Sequence, residues 1–265
     1  MTSPMLYSAK RIEQQFHTGE APVMVMCSDV NVYVCKYMRS SSTAYKLACE
    51  FIGAKLAITW QLNTPDIELV NILPEHWHGI NLSHSISAPS LGSRWLESVV
   101  DITPSTYAKV PVNTELLNQL MKIALFDFWI ANEDRNANNA NMMYDMVHEK
   151  IVSIDYGCIF NTATFDYPLS QLTSTDTILW SDLFHHLRCG IDRPTIYSIA
   201  EQLRTDYTDC LERSKDKAKE IMNGIPQEWK VPKGTLQEKF TQLFDKQWTV
   251  EVWENFMDCL NENIE

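Results

Sequence analysis

Asn132-Glu133-Asp134-Arg135-Asn136-Ala137-Asn138-Asn139, followed after a short interval by Ile154-Asp155-Tyr156-Gly157, is the stretch on which the reading of this 265-residue chain turns. Clusters of Asp and Asn commonly do no more than build turns and cap helices, because their short side chains bond nearby backbone. The surroundings here argue for more. The cluster follows the strongly apolar Leu125-Phe126-Asp127-Phe128-Trp129-Ile130-Ala131 and precedes a β-like run, Ile151-Val152-Ser153-Ile154, that sets Asp155 at a strand end beside Gly157. An acid, an amide five positions on and a second acid at a strand end form a pattern used in magnesium-dependent phosphoryl transfer. In such a pattern Asp134 orients or deprotonates an attacking hydroxyl. The Asn139 amide oxygen and the Asp155 carboxylate are hard ligands for the hard cation.

Working outward, Leu117, Leu120, Ile123, Ala124 and Phe128 recur at helical spacing, which predicts a long, largely buried helix from Asn113 to the polar cluster. Nearer the N-terminus, a short amphipathic start leads to the turn signal Thr18-Gly19-Glu20-Ala21-Pro22. Two apolar runs flanking Ser28-Asp29 then predict a β-hairpin. Residues 44–60 place Leu47, Phe51, Ala54 and Ile58 on one face of a helix, and a strand resumes at Ile67. Residues 75–93 read as an irregular loop, and residues 94–102 as a further strand leading to a connection. Beyond Phe160 the pattern predicts helices over 175–188, 194–223, 234–247 and 248–263, with turns at Gly190, Pro226 and Pro232. The expected fold class is α+β and two-lobed: a small β-rich N-terminal lobe with one main helix over residues 1–102, and a larger helical C-terminal lobe over 103–265. No internal repeat is visible.

Lys36 lies in the alternating run Val32-Tyr33-Val34-Cys35-Lys36-Tyr37-Met38, and Glu50 lies in the helix that follows. In a kinase lobe a strand Lys contacts the α- and β-phosphates and a helix Glu holds that Lys in place. Either residue alone reads as solvated surface; their order relative to Asp134 is what gives them meaning. Together with Pro65-Asp66 before Glu68-Leu69-Val70-Asn71-Ile72, these residues carry a resemblance, over roughly residues 15–190, to the HipA-like kinases, bacterial relatives of the protein-kinase and phosphoinositide-kinase fold. The resemblance implies ATP and Mg2+ as cofactors. It makes Asp134 the catalytic base, Asn139 and Asp155 the magnesium ligands, Lys36 the phosphate contact and Glu50 its partner. Two departures stand out: Asn136 where many relatives carry His, and His17-Thr18-Gly19-Glu20-Ala21-Pro22 in place of a GxGxxG loop. The resemblance further implies a kinase core without the separate N-terminal domain of the longer toxin kinases. Ser98 and Val99 are the candidate hinge to adenine, with ordinary sheet as the competing reading.

The expected reaction is transfer of the γ-phosphate of ATP to a Ser or Thr hydroxyl of a protein. A small-molecule or lipid kinase on the same fold, and a nucleotide-binding pseudokinase acting as an interaction module, are the competing readings. An antitoxin or other regulator is the partner such a kinase would meet. A net charge of −12 opposes broad binding to nucleic acid or an anionic membrane. No stretch approaches the roughly 18 apolar residues of a membrane helix. Seven scattered cysteines without Cys-x-x-Cys suit free thiols in a reducing cytoplasm. The hydroxyl tract Arg39-Ser40-Ser41-Ser42-Thr43 reads as a linker with Thr43 as helix N-cap rather than an autophosphorylation loop. His76, His78, His185 and His186 lack acidic or Cys partners at ligand spacing and read as surface or packing residues. Trp229, Trp248 and Trp253 read as packing for a C-terminal helical subdomain. No Gly-x-Ser-x-Gly is present, which disfavours a hydrolase.

Overall fold

A computed structural model describes residues 5–39, 41–77 and 88–264, the side chains of residues 41–43 excepted. His78, Ser40 and most of the expected 75–93 loop therefore lie outside the described residues. Two short strands, β1 (Leu6–Tyr7) and β2 (Gln14–Gln15), precede the expected hairpin of β3 (Val23–Met26) and β4 (Val32–Lys36), paired antiparallel from Val23↔Cys35 to Met26↔Val32. Its alternation is physical: Val23, Val25, Tyr33 and Cys35 point into one apolar cluster with Val70 and Trp77. Helix α1 (Ser41–Thr59), β5 (Ile67–Asn71) and β6 (Ser90–Arg94) complete a six-stranded sheet of order β1-β5-β6-β4-β3-β2. Then come β7 (Val99–Asp101), α2 (Thr114–Ile130), β8 (Met142–Asp145) and β9 (Lys150–Ser153), the three strands forming a second sheet, β7-β8-β9. A short turn α3 (Ile159–Ala163), α4 (Asp182–Leu187), α5 (Arg193–Gly224), α6 (Lys233–Leu243) and α7 (Lys246–Ile264) make the rest mainly helical.

Several elements differ from the sequence expectation. Part of the 75–93 stretch is strand β6. The expected strand over 94–102 is two pieces: Arg94 ends β6, the chain turns through Trp95–Ser98 with Ser98 at φ 59°, and β7 joins the other sheet. The small residues before Met142 conceal β8, which pairs with β9 from Met142↔Ser153 to Asp145↔Lys150. Helix α1 begins at Ser41, so Thr43 is inside it rather than its cap. The expected helix over 175–188 is broken into 3-10 turns at Ser174–Asp176 and Ile178–Trp180 before α4. Thr173, Thr177 and Ser181 each offer a side-chain oxygen to the start of the next turn, and that local bonding interrupts a continuous helix.

Helix α1 is buried on nearly every side between Leu47 and Ala54, because it packs against β5, α3 and α5 together. A one-faced reading consequently misplaces Ile58, which is exposed. Trp60, just past its end, stacks on Trp129 of α2 with ring centroids 5.1 Å apart. The expected packing role of the C-terminal tryptophans shows in their hydrogen bonds: Trp229 Nε1 donates to the Pro89 carbonyl at 2.8 Å and Trp248 Nε1 to that of Trp129 at 3.0 Å. The seven cysteines are free thiols, with Cys189 exposed, Cys158 half-buried and the rest buried.

Gly53 sets the distance between α1 and the segment after β9. A Cβ built there would lie 2.4 Å from Tyr156 Cβ, a contact no side-chain rotation can relieve. Ordinarily Gly→Ala inside a helix stabilises by about 1 kcal/mol. Here overpacking, about 1–3 kcal/mol, opposes that gain and exceeds it. Gly53→Ala is therefore expected to lower Tm by several degrees in a thermal melt; a rise in Tm would show that α1 does not pack this closely.

Candidate active site

Lys36 closes β4 and extends its ammonium into a nest of carboxylates. Its Nζ lies 2.8 Å from Glu50 Oε2, 2.8 Å from Asp155 Oδ1 and 3.2 Å from Glu20 Oε2. Strand, helix and the end of β9 thus converge on one cation. Glu50 is buried on α1, and its Oε2 also accepts the Tyr156 backbone N–H at 3.0 Å, so α1 is tied directly to the Asp155 segment. Asp155 adopts φ 59°, a left-handed backbone that turns the chain sharply out of the strand, and its Oδ1 accepts from Gly157 N at 3.4 Å. Burial alone would lower the pKa of Lys36, but Glu50, Asp155 and Glu20 hold it well above its ordinary value. Burial pushes Glu50 up, reinforced by Asp155 and opposed by Lys36. For Asp155 burial works upward too, but Lys36 overrides it and holds the carboxyl below the ordinary carboxylate range.

Lys36, Glu50 and Asp155 wall a cavity of about 720 Å³ between the two sheets. Val34, Ala54 and Ile67 give it apolar surface on one side, Met143 and Ile154 on the other, and Trp95 to Val99 border it where the chain passes between sheets. Size and composition suit a nucleotide-sized ligand with an aromatic base. Ser98 and Val99 line this cavity, so the expected hinge and Lys36, Glu50 and Asp155 share one site. Asp134 is not among the wall residues. Its neighbourhood is marked by Cys158, whose thiol is pushed up to about 11 by burial and then by Asp134, with Asp155 adding to the effect.

The structure does not bring Asn139 to this constellation. Asn139 is exposed, and its backbone pairs with that of Asn136 in a tight turn, N to O at 3.2 Å and the reverse at 3.0 Å. The amide that reaches Asp134 is that of Asn141, whose Nδ2 donates to Asp134 Oδ2 at 3.0 Å while its backbone carbonyl accepts from Ile154 N at 3.0 Å. Counting five residues from Asp134 selects an amide outside the cleft because the Asn136–Asn139 turn takes up two extra residues. The usable signal was the start of β8: the amide beside Asp134 is the one immediately before the strand.

Two further features escape motif reading. Arg135, fully buried, forms an ion pair with Asp127, donates from Nη2 to the Ile154 carbonyl at 2.8 Å, and lies 5.1 Å from the centroid of the Tyr156 ring. Asn132 donates to Asp127 Oδ1 at 2.8 Å. One acid in an otherwise apolar helix end needs a cation, which was a legible sign that Arg135 points inward. Glu133 in turn accepts from Asn161 Nδ2 at 2.9 Å and from Thr162 Oγ1 at 2.6 Å. It thereby ties the Asp134 loop to α3, where Phe160 to Ala163 all have positive φ and form a left-handed turn.

Among the described residues no three His, Cys, Asp or Glu side chains group to hold a metal. Asp155 and the Asn141 amide oxygen fit a magnesium ion that takes its other ligands from phosphate and water. The family of HipA-like kinases matches residues 9–251. The chain belongs to the HipA-like kinase family. A proinflammatory kinase of Helicobacter pylori, CtkA, aligns with a TM-score of 0.58 at 11% identity, over 98% of this chain and 99% of that one, which confirms a protein-kinase-like fold. A Golgi casein kinase aligns at 12% identity over 97% of this chain and 75% of that one, with a TM-score of 0.47, too low to add to the argument. No curated protein matches the chain.

Removing one member of the Asp127–Arg135 pair leaves the other buried and uncompensated, at a cost of about 3–5 kcal/mol, whereas replacing both with apolar residues is far milder. Arg135→Met is expected to lower the urea midpoint strongly, and Asp127→Leu/Arg135→Met to recover a large part of the loss. A loss in the double variant equal to the sum of the Arg135→Met and Asp127→Leu losses would show that the pair contributes nothing as a pair.

Proposed function

We propose that this HipA-like kinase transfers the γ-phosphate of ATP, with Mg2+, to a hydroxyl group, in the first instance a Ser or Thr of a protein. The observation that carries the reading is the Lys36 ammonium shared at 2.8 Å by Glu50 and Asp155 on the wall of a nucleotide-sized cavity. Kinase chemistry needs that set: a cation for the phosphates, a buried acid to hold it, and a carboxylate for the metal.

In this reading Lys36 contacts the phosphates and Glu50 keeps its ammonium in place. Asp155 and Asn141 hold Mg2+, which neutralises charge developing on the phosphates when bound. Asp134 accepts the proton of the acceptor hydroxyl; one of its oxygens is occupied by Asn141 Nδ2, which orients the carboxylate towards the acceptor. The backbone at Ser98 and Val99 borders the cavity where adenine would lie, and Trp95–Ser98, the passage between the sheets, serves as the hinge and lobe boundary. The free thiols agree with a reducing cytoplasm, and among the described residues no helix is long and apolar enough to cross a membrane. An antitoxin-like regulator is the protein partner this family membership suggests.

The test uses γ-labelled ATP and magnesium with protein and small-molecule acceptors. Asp134→Asn and Asp155→Asn are each expected to lower transfer by at least about a hundredfold. Asn141→Ala should do likewise while Asn139→Ala stays near wild type. Transfer that survives Asp134→Asn, or that fails with Asn139→Ala and not with Asn141→Ala, would refute these assignments. Labelling of small molecules alone would replace the protein acceptor, and ATP binding without any transfer would make the chain a pseudokinase.

A further inference from the structure

Glu20 belongs to the turn that stands in place of a glycine-rich loop, and its carboxylate bridges two ammonium groups. Oε2 lies 3.2 Å from Lys36 Nζ, and Oε1 lies 3.9 Å from Lys46 Nζ. Lys46 is one helical turn before Glu50 on α1, which places the two on the same face of the helix. The Glu20 and Lys46 side chains remain partly open to solvent, at 35% and 44% exposure. The loop is held by its own bonds: Arg39 Nη1 donates to the Gly19 carbonyl at 3.4 Å, Ala21 N to that of Thr18 at 2.9 Å, and Ala21 takes a left-handed φ of 46°.

Stability of the fold does not call for this contact. Lys36 is already held by two carboxylates at 2.8 Å, and a third crowds negative charge into the place where a nucleotide must bring more. A carboxylate spanning two lysines is geometrically what a phosphate group would be in the same position. We propose that Lys36 and Lys46 form a two-point site for the phosphates of a nucleoside triphosphate, and that Glu20 fills this site in the free protein as a built-in competitor that the phosphates displace. The inference rests on the kinase reading for the nucleotide, and adds to it a second phosphate-binding lysine and an internal anion that sets affinity.

Isothermal titration of the full chain, with magnesium, against ATP, adenosine and inorganic tripolyphosphate separates the possibilities. Glu20→Gln keeps the shape of the side chain and removes the charge; a thermal melt shows whether it keeps the fold. It is expected to tighten ATP and tripolyphosphate by roughly threefold to tenfold, the scale of a partly exposed ion pair, and to leave adenosine unchanged. Lys46→Met is expected to weaken both phosphate ligands and to shrink the gain from Glu20→Gln when the two are combined. Tripolyphosphate binding that ignores Glu20→Gln, or an equal shift for adenosine, overturns the proposal. ATP binding and transfer that ignore both Glu20→Gln and Lys46→Met overturn it while the kinase reading stands. Tripolyphosphate binding that tightens with Glu20→Gln in a chain that does not bind ATP supports the anion site and sinks the kinase reading instead.

Discussion

The buried pair of Asp127 and Arg135 is the joint on which the site rests. Asp127 sits at the end of α2, Arg135 directly follows Asp134, and the same guanidinium reaches the Ile154 carbonyl and the face of Tyr156 on either side of Asp155. One side chain therefore fixes the Asp134 loop to the helix before it and to the strand end after it. Burying that charge is costly, and burial pushes Asp127 above the ordinary carboxylate range even with Arg135 and Asn132 against it. What the arrangement secures is position: Asp134 and Asp155, twenty-one residues apart in sequence, are held to one rigid reference.

The second constraint joins the two sheets. Lys36 comes from the six-stranded sheet, Glu50 from α1 and Asp155 from the end of the three-stranded one, and each alone would be an unremarkable surface or turn residue. Brought together they satisfy one another: the ammonium offsets two carboxylates, and Glu50 also takes the Tyr156 N–H. The cavity beside them is apolar on both faces, a gradient from the charged Lys36 end to the apolar walls, with Arg94, Glu97 and Asp101 lining it where the chain passes between the sheets. A ligand with an aromatic base and a polyanionic tail matches that gradient.

Much of this was legible in the residues. The alternation that ends in Lys36 and the apolar helix before Asp134 belong to elements whose periodicity survives folding, and so does the apolar run before Asp155. The place of Asn139 was not legible, because spacing was counted along the chain while the Asn136–Asn139 turn loops out of the cleft, leaving Asn141 beside Asp134. Strands β6 and β8 were hidden because Ser, Gly and Met in short strands carry little β-signal, and their pairing is decided by partners distant in sequence. Ile58 was misjudged for the opposite reason: α1 is enclosed by several elements, and a helix buried nearly all round leaves no single face to read.

The close approach at Gly53 also limits how this sequence can drift. Position 53 looks like a free helical site one turn after Glu50, yet its lack of a Cβ sets how near α1 comes to Tyr156, the residue after Asp155. A side chain there would have to be accommodated by moving the backbone that carries Asp155, or by moving the helix that carries Glu50. Mutational tolerance at this inconspicuous helical position is thus coupled to the geometry of two charged groups in the cleft. A relative that loses the glycine would need a compensating change in the Asp155 segment to keep them aligned.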